Sequence, residues 1–136
     1  MIVGFTGTQR GMTKAQRERL TSDVFNAIHI DEFRHGDCEG ADETASRIAN
    51  DFNVQVIIHP PLDPKKRAFC IGHTLTPKPY LERNHDIVDA CNLLIATPGQ
   101  KQEQLRSGTW ATIRYATKKG KPVLIIYPDG TRERRN

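Results

Sequence analysis

The chain has 136 residues, 37% of them hydrophobic and 26% charged, with a formal net charge of +4. That length fits one domain with a core of its own, and the apolar content excludes a disordered chain. The excess charge sits partly on Arg132, Arg134 and Arg135 near the end; it suits an anionic small molecule and is too mild to mark a nucleic-acid-binding protein.

Ile2-Val3-Gly4-Phe5 reads as a strand that breaks into a glycine turn, Thr6-Gly7-Thr8-Gln9-Arg10. Thr13 follows as a helix N-cap, and Leu20, Val24, Ala27 and Ile28 recur at helical spacing to about residue 28. Glu32 to Gly36 make a short second strand. The next helix runs from about Gly40 to Phe52, with Ala41, Ala45, Ile48, Ala49 and Phe52 as its apolar stripe. Val54 to Ile58 has the β-branched richness of a buried strand. From His59 to Pro79 the pattern dissolves into prolines, the basic run Lys65-Lys66-Arg67 and Gly72-His73. A loop of that length is a candidate lid, and its basic run reads as solvated.

A helix is expected over Tyr80 to Ala90 and a strand over Asn92 to Ala96, ending at Thr97-Pro98-Gly99. The polar insertion Gln100 to Arg106 leads to Ser107-Gly108-Thr109-Trp110, which opens a helix to about Lys119. Trp110, the sole tryptophan, is assigned to the core or to a subunit interface. Gly120 stops that helix, Pro122 to Tyr127 form the last strand, and residues 128–136 read as a charged tail.

Strands alternating with helices give an α/β fold: one three-layer domain over residues 1–127, with a five-stranded, mainly parallel sheet in the order 3-2-1-4-5. Under that order the switch point lies between strands one and four, so the Gly7 and Gly99 turns flank one crevice. The turns after strands one, two and four can turn backbone N–H groups and helix N-termini toward phosphate. The first contributes Gly7, Thr8 and Arg10. The second contributes Gly36, Asp37, Gly40, Ala41 and Asp42, whose carboxylates either meet ribose hydroxyls or, for Asp42, face a helix dipole. Ser107, Gly108 and Thr109 offer a hydroxyl and free N–H groups, or Ser107 simply caps its helix.

Cys38, Cys70 and Cys91 are an odd set at irregular separations and read as reduced thiols, Cys38 being kept quiet by acidic neighbours. His59 and His73 lack metal-ligand spacing, so neither a metal nor a cofactor is expected. No apolar run approaches the ~18 residues of a membrane span, and the expected location is cytoplasmic.

The stretch Tyr80-Leu81-Glu82-Arg83-Asn84, on through Leu94-Ile95-Ala96-Thr97-Pro98-Gly99 to Ser107-Gly108-Thr109-Trp110, resembles the SLOG superfamily of Rossmann-like domains, which includes DprA and the LOG proteins. Thr6 to Arg10 and the Gly-x-x-x-Gly-Ala-Asp segment Gly36 to Asp42 resemble its small bacterial and phage branch, called YspA- or cpYpsA-related. The resemblance implies a nucleotide or nucleotide-sugar ligand at the carboxyl edge of the sheet. It adds Arg83, Asn84, Pro98 and Gly99 to the ligand-binding set, and it implies a homodimer or higher homo-oligomer.

An alternative implied by the LOG enzymes is cleavage of the N-glycosidic bond of a nucleoside monophosphate. Arg83 stands where their catalytic arginine would be, but Thr112 replaces the motif glutamate, so Asp37, Asp42, Glu82 or Asp86 would have to act as the acid. DprA-like single-stranded DNA binding is a third reading, opposed by the mild charge and few aromatics.

Overall fold

Strand β1 (Ile2–Gly7) holds the middle of the sheet, between β2 (Glu32–His35) and β5 (Leu93–Thr97), and runs parallel to both. Val3 pairs with Phe33 on one side and Leu93 on the other, which sends all three side chains to the same face. Beyond these neighbours lie β3 (Gln55–Ile58) and β6 (Val123–Ile126), so the central order is β3-β2-β1-β5-β6, the arrangement expected from the sequence. The computed structural model describes residues 1–136.

Two further strands extend the sheet to seven, in the order β4-β3-β2-β1-β5-β6-β7. The two-residue β4 (His73–Thr74) lies within the segment read as a loop and pairs in parallel with β3. The expected tail forms β7 (Arg132–Arg135), antiparallel to β6, through a turn at Asp129-Gly130 in which Tyr127 N–H donates to Thr131 O at 2.8 Å. Asp-Gly is a hairpin signal, but the arginines masked the strand, because an edge strand facing water needs little apolar content.

One face of the sheet packs against Leu20, Val24 and Phe25, which follow α1 (Lys14–Arg19), and against α2 (Ala41–Asp51), through Val3, Phe5, Phe33, Ile58, Leu93 and Ile95. The other packs against α3 (Tyr80–Ala90) and α4 (Gly108–Lys118) through Ile87, Leu94, Trp110, Ile113 and Ile125. Trp110 therefore belongs to the core of the protomer. Gly4 lets α3 approach closely, since a β-carbon there would stand 3.0 Å from Ile87 Cγ2 and 3.1 Å from Cys91 Sγ.

Helix α1 is shorter than its spacing predicts. Thr13 caps it in a reciprocal box with Gln16, but the chain widens into a π-helical turn over Leu20–Phe25, with Asn26 N–H reaching Thr21 O at 2.9 Å. Leu20, Val24 and Phe25 of this turn are buried together.

The 59–79 segment is tied to the body along its length. Asp37 is the knot: its carboxylate accepts from Arg67 Nε at 2.6 Å and Cys70 N–H at 2.8 Å, and its carbonyl accepts from Ala68 N–H at 2.8 Å. Glu39 N–H donates to Lys66 O at 2.8 Å, and Leu75 N–H to Ile58 O at 2.9 Å. The basic run is thus divided: Arg67 is ion-paired, whereas Lys65 and Lys66 stay exposed.

Gln16 latches α1 to the sheet. It is 1% exposed, and its amide donates to Pro98 O and Ile126 O, each at 2.9 Å, while its oxygen accepts from Thr13 N–H at 3.0 Å. Gln16→Ala leaves two buried carbonyls without donors, and chemical denaturation should show a loss of about 2–3 kcal/mol.

Candidate functional site

The strand ends after β1, β2 and β5 open into one cleft of about 710 Å³ at the carboxyl edge of the sheet. Its floor is the β1 turn. A β-carbon on Gly7 would collide with Thr97 Oγ1 and Ala41 Cβ, so the turn can lie flat against β5 and α2 only as glycine. Thr8 N–H donates to Thr97 O at 3.3 Å, and Ala41 N–H donates to Thr8 O at 3.1 Å. Gly40 adopts φ +89°, where a side chain would press on the Gln9 carbonyl.

The β2 wall is built around Arg83. This side chain is 4% exposed, and its guanidinium fills the space where a side chain at Gly36 would lie. Nη1 donates to Gly36 O and, at 3.2 Å, to His59 O; Nη2 lies 3.6 Å from Cys38 Sγ. Tyr80 packs on the guanidinium with its ring centre 4.9 Å away, and Nε has no partner. Asp42 lines the same wall, one oxygen accepting from Cys38 N–H at 3.1 Å. Burial pushes the Cys38 thiol up, with the Asp42 charge adding to the shift, so the sulfur stays protonated.

The β5 wall comprises Gly99, the insertion and the start of α4. Ser107 Oγ accepts from Trp110 N–H at 3.2 Å, so Ser107 is the cap, and the first amides of α4 lie at the cleft lining beside Gly108 and Thr109. Thr112 is buried one turn on and spends its hydroxyl on Gly108 O at 2.9 Å.

Of the residues expected to bind ligand, Gly7, Thr8, Arg10, Gly36, Asp42, Arg83, Asn84, Gly99, Ser107, Gly108 and Thr109 line this cleft. Asp37, Gly40, Ala41 and Pro98 do not. Asp37 is committed to Arg67 and Cys70, Gly40 and Ala41 serve the packing of α2, and Pro98 accepts from Gln16. Neither Glu82 nor Asp86 faces the cleft: Asp86 lies behind Arg83 in a second cavity, paired with Lys78 at 2.7 Å. Asp42 is the one carboxylate of the lining.

Lys66, Tyr80, Gln100, Gln104 and Arg106 also line the cleft and were not among the expected site residues. The last three belong to the insertion, whose polar composition carries no periodicity to place it. No three His, Cys, Asp or Glu side chains come together in a metal-holding arrangement. No helix is long and apolar enough to cross a membrane.

No protein-family model and no curated protein sequence matches the chain. Solved structures do. The molybdenum cofactor binding protein from the phototrophic bacterium Rippkaea orientalis superposes with a TM-score of 0.68 at 20% identity, covering 93% of this chain and 76% of that one. The structural-genomics target TM1055 gives 0.65 at 17%, covering 90% and 72%. DNA processing protein A (DprA) from Streptococcus pneumoniae gives 0.63 at 18%, covering 91% of this chain and 49% of that one, so this chain spans about half of DprA. These likenesses show the fold alone: the chain has a Rossmann-like architecture shared with these structures.

Three buried titratable groups lie around the β2 strand end. Burial pushes His35 down from 6.5 to about 4, and His59 falls to about 4 from burial and the nearby Arg34. His35 is held neutral as a receptor for Asp37 N–H, which donates to its Nδ1 at 2.9 Å. Asp42 moves the other way, raised by burial from 3.8 to about 6. Between about pH 4 and 6.5 the unfolded chain holds protons on both histidines that the folded protein rejects, so these groups make stability rise with pH. Asp42 opposes them, because between 3.8 and about 6 the folded protein keeps a proton that the unfolded chain has lost. Two histidines outweigh one carboxyl. Stability measured by denaturant titration should therefore fall as pH is lowered from 6.5 to 4, and Asp42→Asn should steepen the fall.

Proposed function

We propose that this protein binds a nucleotide or nucleotide-derived small molecule in the cleft at the carboxyl edge of its sheet. The observation that carries the reading is the meeting of the α4 N-terminus with the Arg83 guanidinium across a floor of glycine turns. Free amides at a helix start and an arginine fork are the groups that recognise phosphate, and a parallel sheet offers them at its switch point. The cleft volume lies within the range of small-molecule sites. A fold-mate whose name records cofactor binding is in keeping with a ligand at this edge. The motifs Thr6 to Arg10 and Gly36 to Asp42 are the basis for assigning the chain to the YspA- or cpYpsA-related branch.

Binding is favoured over hydrolysis because the Thr112 position holds no carboxylate and its hydroxyl is spent within α4. Asp42 supports a second reading as a nucleoside-monophosphate N-glycosidase: it is the one carboxyl in the lining, and its raised pKa suits proton donation to a leaving base near neutral pH. Release of free base from a nucleotide, lost in Asp42→Asn, would establish that activity.

The binding reading is checked by thermal shift against phosphorylated and unphosphorylated nucleosides of each base. At least one nucleotide should raise Tm while its parent nucleoside does not. Gly108→Asp is the informative variant. A β-carbon at position 108 meets open space, and an acid in the first turn favours a helix, so the fold should be kept or slightly stabilised. Nucleotide affinity should nevertheless drop at least tenfold, because the new carboxylate occupies the anion position. Unchanged affinity would refute the placement.

A further inference from the structure

Three cations of the cleft lining, Arg10, Lys66 and Arg106, make no ion pair and no side-chain hydrogen bond within the protein. Each is exposed and therefore hydrated rather than consumed by the fold. With the buried Arg83, four cations face one carboxylate, that of Asp42, which burial holds partly protonated near neutral pH. Other cations are held in ion pairs: Arg67 with Asp37, Arg114 with Glu103, Arg132 with Asp23 and Lys78 with Asp86. The cleft thus gathers three unpaired cations around a single carboxylate.

The cations also stand on opposite walls. Lys66 follows from the segment pinned to the β2 turn, since its carbonyl accepts from Glu39 N–H at 2.8 Å, and Arg83 packs on Gly36 of that same turn. Arg106 immediately precedes the α4 cap on the β5 side, and Arg10 rises from the floor between. Strand β1 separates β2 from β5, so the two walls are about 10 Å apart, twice the spacing of paired strands. A phosphate on the α4 amides sits on the β5 side, and the Lys66 and Arg83 side offers cations for a second anion. The Arg83 side chain contributes to that far wall as a buried cation.

We infer that the ligand carries at least two phosphoryl groups, one held at the start of α4 with Arg106 and the second on the β2 wall with Lys66 and Arg83. This rests on the nucleotide reading above and deepens it: a nucleoside diphosphate or a pyrophosphate-linked dinucleotide fits, whereas a nucleoside monophosphate engages one wall. Arg10 on the floor faces the bridge between the two groups.

The test is calorimetric titration of the full chain with inorganic phosphate and pyrophosphate, and with the mono- and diphosphates of adenosine, guanosine, cytidine and uridine. The diphosphate of the preferred base should bind at least tenfold more tightly than its monophosphate, and pyrophosphate more tightly than phosphate. Lys66→Ala and Arg106→Ala alter exposed side chains and should fold normally; Lys66→Ala should reduce the preference for the diphosphate severalfold, whereas Arg106→Ala should weaken mono- and diphosphate alike. Equal binding of mono- and diphosphates, or a preference that survives Lys66→Ala, overturns the two-wall assignment while leaving nucleotide binding in place. Binding of none of these compounds overturns both.

Discussion

The buried guanidinium of Arg83 is the constraint on which the cleft depends. It joins α3 to the carbonyl ends of β2 and β3 by bonding Gly36 O and His59 O, and it occupies the volume that any larger residue at Gly36 would need. A charge this deeply buried is tolerated where carbonyl oxygens and a ring face solvate it, here supplied by the two carbonyls and Tyr80. The arrangement leaves the α3 face of the sheet with a fixed cationic wall rather than a mobile side chain. Because both carbonyl acceptors belong to strand ends, the position of Arg83 is inherited from the sheet itself.

Asp37 plays the matching structural part for the 59–79 segment. Its left-handed backbone, φ +59°, turns the chain so that both carboxylate oxygens meet Arg67 and Cys70. The consequence for the site is indirect but large: with Arg67 fixed, the preceding Lys66 comes to line the cleft. The segment read as a candidate lid is held by backbone hydrogen bonds at several points along its length.

The helix limits of α3 and α4 and the central strand order were readable from apolar periodicity, because buried faces impose their period on the sequence. The glycine turns were readable for the same kind of reason: Gly7 and Gly36 stand where neighbouring atoms leave no room for a β-carbon. The edge strands β4 and β7 were not, since one is only two residues long and the other carries charge into solvent. Asp37 shows the other limit. Its composition and position matched a ribose-binding carboxylate, and nothing local reveals that Arg67, thirty residues on, takes it out of the cleft.

By itself the sequence determined an α/β domain with a central parallel sheet and the approximate turns at its carboxyl edge, because these follow from spacing, burial and residue type. Only the tertiary structure decided which polar groups face the cleft and which are consumed by packing. Asp37 is spent and Asp42 is not; Arg67 is paired and Lys66 is free; Arg106 is carried to the start of α4. The reason is that hydrogen bonding and charge pairing are settled between residues distant in the chain, where no local pattern records which partner an acid or a cation will meet.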